Sequence, residues 1–360
     1  MRIFVTGGAG YVGSHAVRRF RQAGHDPWVF DNLSAGHAAA VGNSPLFVGD
    51  LADADALDEA LGQARFDAVV HFAGVANVGD SVREPLRYYR QNFTHSLGLL
   101  EAMTRHRIGR LVVSSSCTVY GNPATVPVNE ESATTTINPY ARSKLAMEWA
   151  INDCARATGL GCVILRYFNA AGAHTAGDLG EDHTPETHLI PAALEVALGK
   201  RLNLQICGTD YPTPDGTCVR DYVHVEDLAE AHLSALGRIA AGETRVCNLG
   251  SGTPYSVREV IAMCREVTGA RIPAVETPRR PGDAAALHAG FERARTLLDW
   301  FPRHSSLREI VETAWHWHRL HPQGYADRVL TAIPEILERT DGTGVTPETF
   351  EFPPRRRAAA

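Results

Sequence analysis

Two residues one helical turn apart carry the clearest chemistry in the chain. Tyr140 and Lys144 are four positions apart, so on a helix their side chains project from the same face. A free tyrosine releases its proton at about pH 10, but an adjacent ammonium favours the phenolate and should lower that pKa. Ser116 ends a run of serines after a predicted strand, and its hydroxyl can relay a proton towards the tyrosine. We therefore expect Tyr140 to act as a base.

A glycine-rich turn near the start of the chain predicts a dinucleotide site. Gly7, Gly10 and Gly13 are spaced G-x-x-G-x-x-G between the first predicted strand and a helix predicted at 15–23. Glycines let the turn adopt unusual backbone angles and let its N–H groups approach a pyrophosphate at the helix N-terminus. Asp31 ends the second predicted strand, where an acid accepts hydrogen bonds from an adenosine ribose and repels a 2′-phosphate. These features favour NAD over NADP, and the alternative is a tight helix–strand contact without a ligand.

Short β-branched runs alternate with longer amphipathic stretches through the first half of the chain. This alternation predicts βαβ units and an α/β fold, with a doubly wound parallel sheet of the Rossmann type. Asp50 ends the third strand and can reach the adenine, or it can cap a helix that begins near Asp53. The predicted strands are 3–6, 28–30, 46–48, 68–72, 111–115, 162–166 and 246–249.

The composition changes after residue 169, where glycine, histidine and proline become frequent. We expect a smaller, noncontiguous α/β substrate-binding domain formed by about 171–219 and 253–326. Residues 1–170, with about 220–252, should form the NAD-binding domain. Residues from about 341 to 360 are rich in threonine, proline and glycine, which indicates a loosely ordered C-terminal extension.

Composition and charge exclude several classes of partner. The formal net charge of −6 comes from interspersed acids and bases, which argues against a nucleic-acid or membrane-surface partner. The chain leads directly into a strand without a signal peptide, and no apolar run approaches the roughly 20 residues of a membrane span. We therefore expect a cytoplasmic protein. The histidines at 315–318 have no carboxylate or thiol at ligand spacing, so we expect aromatic packing on a helix and no metal site.

Several longer motifs resemble the extended short-chain dehydrogenase/reductase family, and within it the NAD-dependent nucleotide-sugar 4-epimerases, over about residues 1–326. The resemblance implies reversible interconversion of UDP-glucose and UDP-galactose through a transient 4-keto sugar and tightly bound NAD. The motifs that carry it, besides the glycine turn, are S-S-S-C-T-V-Y-G at 114–121, N-P-Y at 138–140, L-R-Y-F-N at 165–169, G-T-D-Y-P-T at 208–213, R-D-Y-V-H-V at 220–225 and H-P-Q-G-Y at 321–325.

The resemblance also assigns roles to individual residues. It implies that Ser116, Tyr140 and Lys144 carry the catalysis, and that Arg220 and Arg280 bind the pyrophosphate, for which planar guanidinium groups are well suited. The implied cofactor contacts are Gly7, Gly10, Tyr11, Val12, Gly13, Asp31, Asn32, Asp50, Leu51, Phe72, Ala73, Asn92, Ser114, Tyr140, Lys144 and Tyr167. The implied substrate contacts are Ser116, Tyr140, Asn169, His188, Leu189, Arg220, Arg280, Asp283 and Leu287.

Departures from the family pattern leave the sugar open. His188 stands in a Thr-His-Leu string that replaces an Asn-Asn-Leu string, and we expect it or the backbone to contact the diphosphate. Leu287 aligns with a position whose bulk gates the sugar 2-substituent, so UDP-N-acetylhexosamine and UDP-xylose/UDP-arabinose pairs remain alternative substrates.

Other functions on the same fold are less favoured. A nucleotide-sugar 4,6-dehydratase would have Asp-Glu where this chain has Cys117 and Thr118. A noncatalytic NAD-binding scaffold would usually lack the tyrosine or the lysine. Relatives are typically homodimers that pair two helices, which would include 85–105 and 143–158 here.

Overall fold

The strands of the large sheet are apolar along most of their length, so they need cover on both faces. A computed structural model describes residues 1–325 of the chain. Its strands are β1 (Arg2–Thr6), β2 (Asp26–Asp31), β3 (Leu46–Val48), β4 (Ala68–His71), β5 (Arg110–Ser116), β6 (Gly161–Tyr167), β7 (Asn169–Ala171), β8 (Leu204–Cys207), β9 (Val219–His224), β10 (Thr244–Leu249), β11 (Pro254–Ser256), β12 (Ala274–Thr277) and β13 (Ala286–Leu287).

The helices lie between these strands, mostly in alternation with them. They are α1 (Tyr11–Gln22), α2 (Ala54–Gly62), α3 (Val78–Arg83), α4 (Pro85–Tyr88), α5 (His95–Arg105), α6 (Pro139–Thr158), α7 (Leu189–Ala197), α8 (Val225–Leu236), α9 (Val257–Thr268), α10 (Glu292–Leu298) and α11 (Leu307–Leu320). A π-helical turn at Tyr89–Thr94 joins α4 to α5, and short 3-10 turns occupy Ala38–Val41 and Cys117–Tyr120. Within residues 1–325, no helix combines enough length and apolar character to span a bilayer.

Seven strands form one parallel sheet in the order β10-β6-β5-β4-β1-β2-β3. The order reverses beside β1, so the loops after β1 and β4 diverge and leave a crevice at the carboxyl edge of the sheet. Helices α1 and α8 cover one face, and α2, α5 and α6 cover the other. The predicted doubly wound α/β fold is confirmed.

The first helix begins earlier than its sequence pattern indicates. We predicted a helix at 15–23, but α1 starts at Tyr11 with Gly10 as its N-cap. The first N–H groups of a helix have no partner within it. Because the helix starts inside the glycine turn, these free N–H groups belong to the turn itself.

A second region is built from small sheets and a separate core. Strands β11, β9 and β13 form one sheet with β7 beside β9, and β8 pairs with β12. Helices α7, α9 and α11 enclose an apolar cluster against this region. Aromatic packing on α11 is seen where we predicted it, since Trp317 is buried and its ring stacks on His321 with centroids 3.8 Å apart.

Strand pairing differs in one place from the predicted division into domains. We assigned residues from about 220 to the NAD-binding domain, but β9 pairs only with strands of the second region, while α8 and β10 return to the large sheet and α10 packs beside them. The buried Asp221 links β9 to both regions, because its carboxylate accepts hydrogen bonds from the backbone N–H groups of Ser251 and Gly252, just after β10, and of Ala289, just after β13. The predicted extension at 341–360 lies outside the described residues.

Candidate active site

One cleft of about 920 Å³ opens at the carboxyl edge of the large sheet. It brings together the glycine turn, the ends of β2, β4 and β5, the start of α6, and residues of the smaller sheets. The predicted site residues that line it are Gly7, Gly10, Tyr11, Val12, Gly13, Asp31, Asn32, Asp50, Leu51, Phe72, Ala73, Ser114, Ser116, Tyr140, Lys144, Tyr167, Asn169, His188, Leu189, Arg220, Arg280, Asp283 and Leu287.

The glycine turn is packed so tightly that a side chain at Gly7 or Gly13 would collide with backbone atoms. Gly7 has a φ of +73°, and a Cβ atom there would lie 2.4 Å from the backbone nitrogen of Ala73. A Cβ atom at Gly13 would lie 2.1 Å from the Gly7 carbonyl oxygen. These approaches leave bare backbone facing the crevice, which is what a dinucleotide pyrophosphate requires.

Asp31 ties the end of β2 to this turn. Its Oδ2 atom accepts a hydrogen bond from the Ala9 N–H at 2.9 Å, and its Oδ1 atom accepts one from the Leu33 N–H at 2.9 Å. Burial raises the pKa of the Asp31 carboxyl, and the two backbone N–H donors lower it in part. The acid therefore stands beside the glycine turn, where we predicted the adenosine ribose.

Asp50 lines the cleft and does not cap a helix. The N-cap of α2 is Asp53, whose side chain accepts a hydrogen bond from the Ala56 N–H. Asp50 instead accepts hydrogen bonds from the Ala52 N–H and from Asn32 Nδ2, and these donors lower the pKa of its carboxyl. The helix-cap interpretation is therefore wrong, and the contact of Asp50 with the adenine stays a prediction.

Asn92, a predicted cofactor contact, is fully buried behind Gly74 and is not among the residues that line the cleft. Its side chain is fully buried, its Oδ1 atom accepts a hydrogen bond from the Val75 N–H, and its Nδ2 atom donates to the Val75 carbonyl and to Ser143 Oγ. The π-helical turn that carries Asn92 packs against α6, which explains why the amide points into the protein. It holds the loop after β4 against the helix of Tyr140 and Lys144.

The end of β5 presents two serine hydroxyls to the cleft. Ser116 is the N-cap of a 3-10 turn, and its Oγ atom accepts hydrogen bonds from the N–H and the hydroxyl of Thr118. Ser114 hydrogen-bonds with the Tyr167 hydroxyl at the end of the neighbouring β6. Both serines are therefore fixed at the point where ligands of open α/β sheets bind.

Helix α6 places Tyr140 and Lys144 over this strand end. The helix begins at Pro139, and the Asn138 side chain caps it by accepting a hydrogen bond from the Ala141 N–H. Tyr140 and Lys144 are 8% and 5% exposed, so both functional groups lie in a site that largely excludes water. Lys144 Nζ donates a hydrogen bond to the Ser114 carbonyl oxygen at 3.0 Å.

In the protein alone, burial raises the pKa of Tyr140 above its usual range, and the Ser116 hydroxyl lowers it only in part. The predicted lowering relies on the Lys144 ammonium reinforced by the positive nicotinamide of bound NAD, and it stays a prediction for the loaded site. Burial also lowers the pKa of Lys144 to about 8. Desolvation disfavours the charged form of each group, and the lysine is directed to a carbonyl of β5.

A buried ion pair supports the same helix, and the sequence analysis missed it. Glu148 lies one turn after Lys144 and accepts hydrogen bonds from the Arg166 guanidinium, with Arg166 Nε 3.0 Å from Glu148 Oε1. It also accepts a hydrogen bond from Ser115 Oγ, and Arg166 Nη1 donates to the Tyr120 hydroxyl. These contacts fasten α6 to β5 and β6. In the sequence, the Leu-Arg-Tyr string at 165–167 could have identified Arg166 as a functional residue.

The same cleft carries the cationic residues Arg220 and Arg280. Arg220 lies on β9, and Arg280 lies 3.9 Å from the Asp283 carboxylate, measured from Nε to Oδ2. Asn169 begins β7, and Leu189 begins α7 with His188 as its N-cap. The predicted phosphate and ribose contacts therefore lie together, away from the glycine turn in sequence but in the same cleft.

His188 belongs to a cluster of four ionisable residues that we did not predict. Glu181, His183, Glu186 and His188 place one nitrogen or oxygen atom each within 4.8 Å of one another. Burial lowers the pKa of both histidines, but the two carboxylates outweigh it, raising the pKa of His183 to about 9 and that of His188 well above its usual value. In the sequence, the spacing E-x-H-x-x-E-x-H at 181–188 could have identified this cluster.

Leu287 forms part of the cleft wall next to the catalytic end. It is 4% exposed and packs in a cluster with Cys117, Leu145 and Phe168. Its side chain is therefore held by neighbours on several sides, so its bulk is a fixed feature of the cleft.

Comparison with known proteins gives consistent matches over most of the chain. The model of the NAD dependent epimerase/dehydratase family matches residues 3–250. A UDP-glucose 4-epimerase of Halalkalibacterium halodurans is 47% identical over 327 residues, which cover 91% of this chain and 98% of that protein. The crystal structure of UDP-glucose 4-epimerase from Bifidobacterium longum in complex with NAD+ and UDP has a TM-score of 0.88 and 37% identity, with 90% of this chain and 100% of that chain covered. A UDP-glucose-4-epimerase from Stenotrophomonas maltophila, solved with NAD and formylated UDP-arabinopyranose, has a TM-score of 0.85 and 38% identity, with 90% and 100% covered.

Proposed function

Because the chain belongs to the NAD dependent epimerase/dehydratase family, we propose that it reversibly interconverts UDP-glucose and UDP-galactose by inverting carbon 4 of the sugar. One observation carries the proposal: Ser116, Tyr140 and Lys144 converge at the end of β5, in the same cleft as the glycine turn. The relatives named above, which are UDP-glucose 4-epimerases, support the same reaction.

NAD is the cofactor that these residues fit. Gly7, Gly10 and Gly13 line the cleft at the start of α1, and the Asp31 carboxylate stands beside them. A carboxylate at this place suits the free ribose hydroxyls of NAD and opposes a 2′-phosphate. Bound there, NAD would supply reversible hydride exchange with carbon 4 of the sugar, and no external oxidant would be consumed.

The proton transfers fall to the chain's own residues. The Tyr140 phenolate accepts the proton of the sugar 4-hydroxyl, and the Ser116 hydroxyl holds the same oxygen. The ammonium of Lys144, together with the positive charge of the cofactor, must overcome the effect of burial on Tyr140. Tyr140 then returns the proton to the transient 4-keto sugar after the sugar has turned over.

Inversion requires a firmly held UDP and a loosely held hexose, since the sugar must turn about its link to the diphosphate. Arg220 and Arg280 supply charged donors for the diphosphate, and Asp283 is placed to hold the uridine ribose. The N-terminus of α7, capped by His188, adds backbone N–H groups with a favourable dipole.

We propose the hexose pair as the preferred substrate because Leu287 presents fixed bulk in the cleft wall. This bulk opposes a large 2-substituent, so UDP-N-acetylhexosamines should react more slowly. UDP-xylose and UDP-arabinose are the second alternative pair, and a formylated UDP-arabinopyranose is bound in the Stenotrophomonas maltophila structure.

The environment of Cys117 and Thr118 disfavours a 4,6-dehydratase. Removal of water from the sugar needs an acid and a base beside the reacting carbons. Burial raises the pKa of the Cys117 thiol to about 12, and the Thr118 hydroxyl donates to Ser116 Oγ. Neither group can provide that acid and base pair.

We further propose a cytoplasmic homodimer with no nucleic-acid or membrane partner. Trp149 on α6 is 60% exposed and Leu86 on α4 is 68% exposed, and both lie in the segments that we predicted to pair. Exposed large apolar side chains on neighbouring helices favour a protein interface. The net charge of −6 opposes binding to nucleic acid.

The test is a comparison of three UDP-sugar pairs with purified protein and no added NAD. Each sugar is incubated alone, and both members of its pair are separated and quantified. We expect UDP-glucose and UDP-galactose to reach the same equilibrium mixture from either side, without steady accumulation of NADH. A faster pentose or N-acetyl pair would overturn the sugar assignment. Bound NAD without turnover of any pair would indicate a noncatalytic scaffold.

A further inference from the structure

The cluster of Glu181, His183, Glu186 and His188 has the donor set of a metal site. Two imidazoles and two carboxylates are ligands that Zn²⁺ accepts in tetrahedral sites. Two deprotonated carboxylates balance the charge of one divalent cation. The four residues occupy eight consecutive positions of the loop between β7 and α7, so they form one local binding loop.

The distances match a single central ion. His183 Nδ1 lies 3.2 Å from Glu181 Oε1 and 3.7 Å from Glu186 Oε2, and His188 Nδ1 lies 2.8 Å and 3.0 Å from Glu181 Oε1 and Glu186 Oε1. Ligand atoms about 2.1 Å from a tetrahedral zinc ion are about 3.4 Å from one another. The nitrogen–oxygen separations therefore lie around the edge length of such a tetrahedron.

A second observation points to a ligand. His183 Nδ1 is buried and has no hydrogen-bond partner within the described residues, although Glu181 Oε1 lies 3.2 Å away. This nitrogen lies between the two carboxylates, 3.2 Å from Glu181 Oε1 and 3.7 Å from Glu186 Oε2, without the geometry of a hydrogen bond to either. A buried nitrogen without a partner is costly, and a cation at the centre of the cluster would satisfy it.

Neighbouring groups hold the loop that supplies these ligands. The Glu186 carboxylate accepts hydrogen bonds from the N–H groups of Thr187 and His188 at 2.6 Å each. Trp317 Nε1 donates to the Glu181 carbonyl oxygen, and Arg201 Nη2 donates to that of Glu186. Such outer contacts orient metal ligands.

We propose that Glu181, His183, Glu186 and His188 bind one Zn²⁺ ion that fastens the β7–α7 loop in the wall of the cleft. Four protein ligands complete a tetrahedral site, which is typical of structural rather than catalytic zinc. Mg²⁺ and Ca²⁺ prefer oxygen ligands in larger number, so they should not compete. The proposal does not depend on the sugar that the protein uses.

The test uses the full chain without an affinity tag, stripped with a chelator and titrated with Co²⁺, which absorbs visible light strongly in tetrahedral sites. We expect one Co²⁺ per chain, displacement by Zn²⁺ but not by Mg²⁺, and a rise in the thermal unfolding midpoint. His183→Gln and Glu181→Gln should each weaken Co²⁺ binding at least about tenfold. His316→Gln, which alters an exposed histidine of α11, is the matched control and should bind as the parent does.

Circular dichroism and the unfolding midpoints of the metal-free variants show whether each variant is folded. Absence of the tetrahedral Co²⁺ spectrum in the parent chain would overturn the proposal. The two histidines and two glutamates would then only form ion pairs and hydrogen bonds with one another. Unchanged Co²⁺ binding by a folded His183→Gln or Glu181→Gln would overturn it too, as would loss of binding in the His316→Gln control.

Discussion

Lys144 Nζ donates a hydrogen bond to the Ser114 carbonyl oxygen at 3.0 Å, within the buried end of β5. This contact joins the first turns of α6 to the strand end that also carries Ser116. Tyr140 lies one helical turn before Lys144, so the same contact sets the position of the phenol. In the protein alone, burial is the main cause of the pKa shifts of both groups. It raises the pKa of Tyr140 and lowers that of Lys144 to about 8.

Lys144→Met should abolish epimerisation and stabilise the NAD-free fold at neutral pH. Burial lowers the pKa of Lys144 from 10.5 to about 8, so keeping the ammonium buried at neutral pH costs about 3 kcal/mol of folding free energy. Loss of the hydrogen bond to Ser114 offsets about 1 kcal/mol of the gain.

The pH dependence of the stability gain in Lys144→Met separates the cost of the buried ammonium from the loss of the hydrogen bond to Ser114. The pKa of Lys144 is lower in the folded protein than in the unfolded chain. The cost of burying the ammonium therefore has its full value below about pH 8 and disappears as the pH rises towards 10.5. The stability advantage of Lys144→Met should therefore shrink between about pH 7 and about pH 10 in denaturant unfolding. An advantage of equal size at both values would contradict the burial argument.

His232→Gln should make the fold less sensitive to acid. Burial lowers the pKa of His232 from 6.5 to about 4, so the unfolded chain takes up a proton first and stability is lost as the pH falls from 6.5 towards 4. Between about pH 7.5 and about pH 5.5, the parent should lose about 1.4 kcal/mol more than the variant. His316→Gln, at an exposed ring, is the control and should keep the parent's acid slope.

Glu148→Ala should destabilise the protein by about 3–5 kcal/mol, because it leaves the Arg166 guanidinium buried and uncompensated. The double variant Glu148→Ala/Arg166→Met should recover a large part of this loss, since it removes both charges. Denaturant unfolding of the two single variants and the double variant measures the coupling. A double variant whose loss equals the sum of both single losses would show that the pair is not coupled.

Trp149→Glu should convert the proposed dimer to a monomer, because it places a charge on the exposed apolar face of α6. Leu202→Glu is the matched control, since Leu202 is 91% exposed and lies outside the segments predicted to pair. Light scattering after size-exclusion chromatography gives the mass of each variant. A monomeric parent, or a dimeric Trp149→Glu, would remove the proposed interface.

The large sheet and the catalytic residues could be predicted from sequence because their signals are local. Strands such as β3, at Leu46–Val48, coincide with the predicted run, and the Tyr140 and Lys144 pair follows from helix geometry alone. The glycine turn is likewise a short pattern after a strand. Each of these features depends on a few neighbouring residues.

Features that depend on distant residues could not be predicted in the same way. The fully buried amide of Asn92 pairs with Val75 and Ser143, although its sequence position matched a cofactor contact. The raised pKa of Tyr140 follows from desolvation, which depends on the whole fold. Strand β9 joins the second region through its pairing with β11 and β13, which lie later in the chain.

The central claim is that the Tyr140 oxygen moves the proton of the sugar 4-hydroxyl, and Tyr140→Phe tests it most directly. This change removes the hydroxyl and keeps the ring, which packs edge-on against Tyr88. The measurement is kcat for UDP-galactose conversion by parent and variant proteins with equal content of bound NAD. The account predicts a kcat about 10²–10⁴-fold lower in the variant. A variant that interconverts the two hexoses at the parent's rate would contradict it.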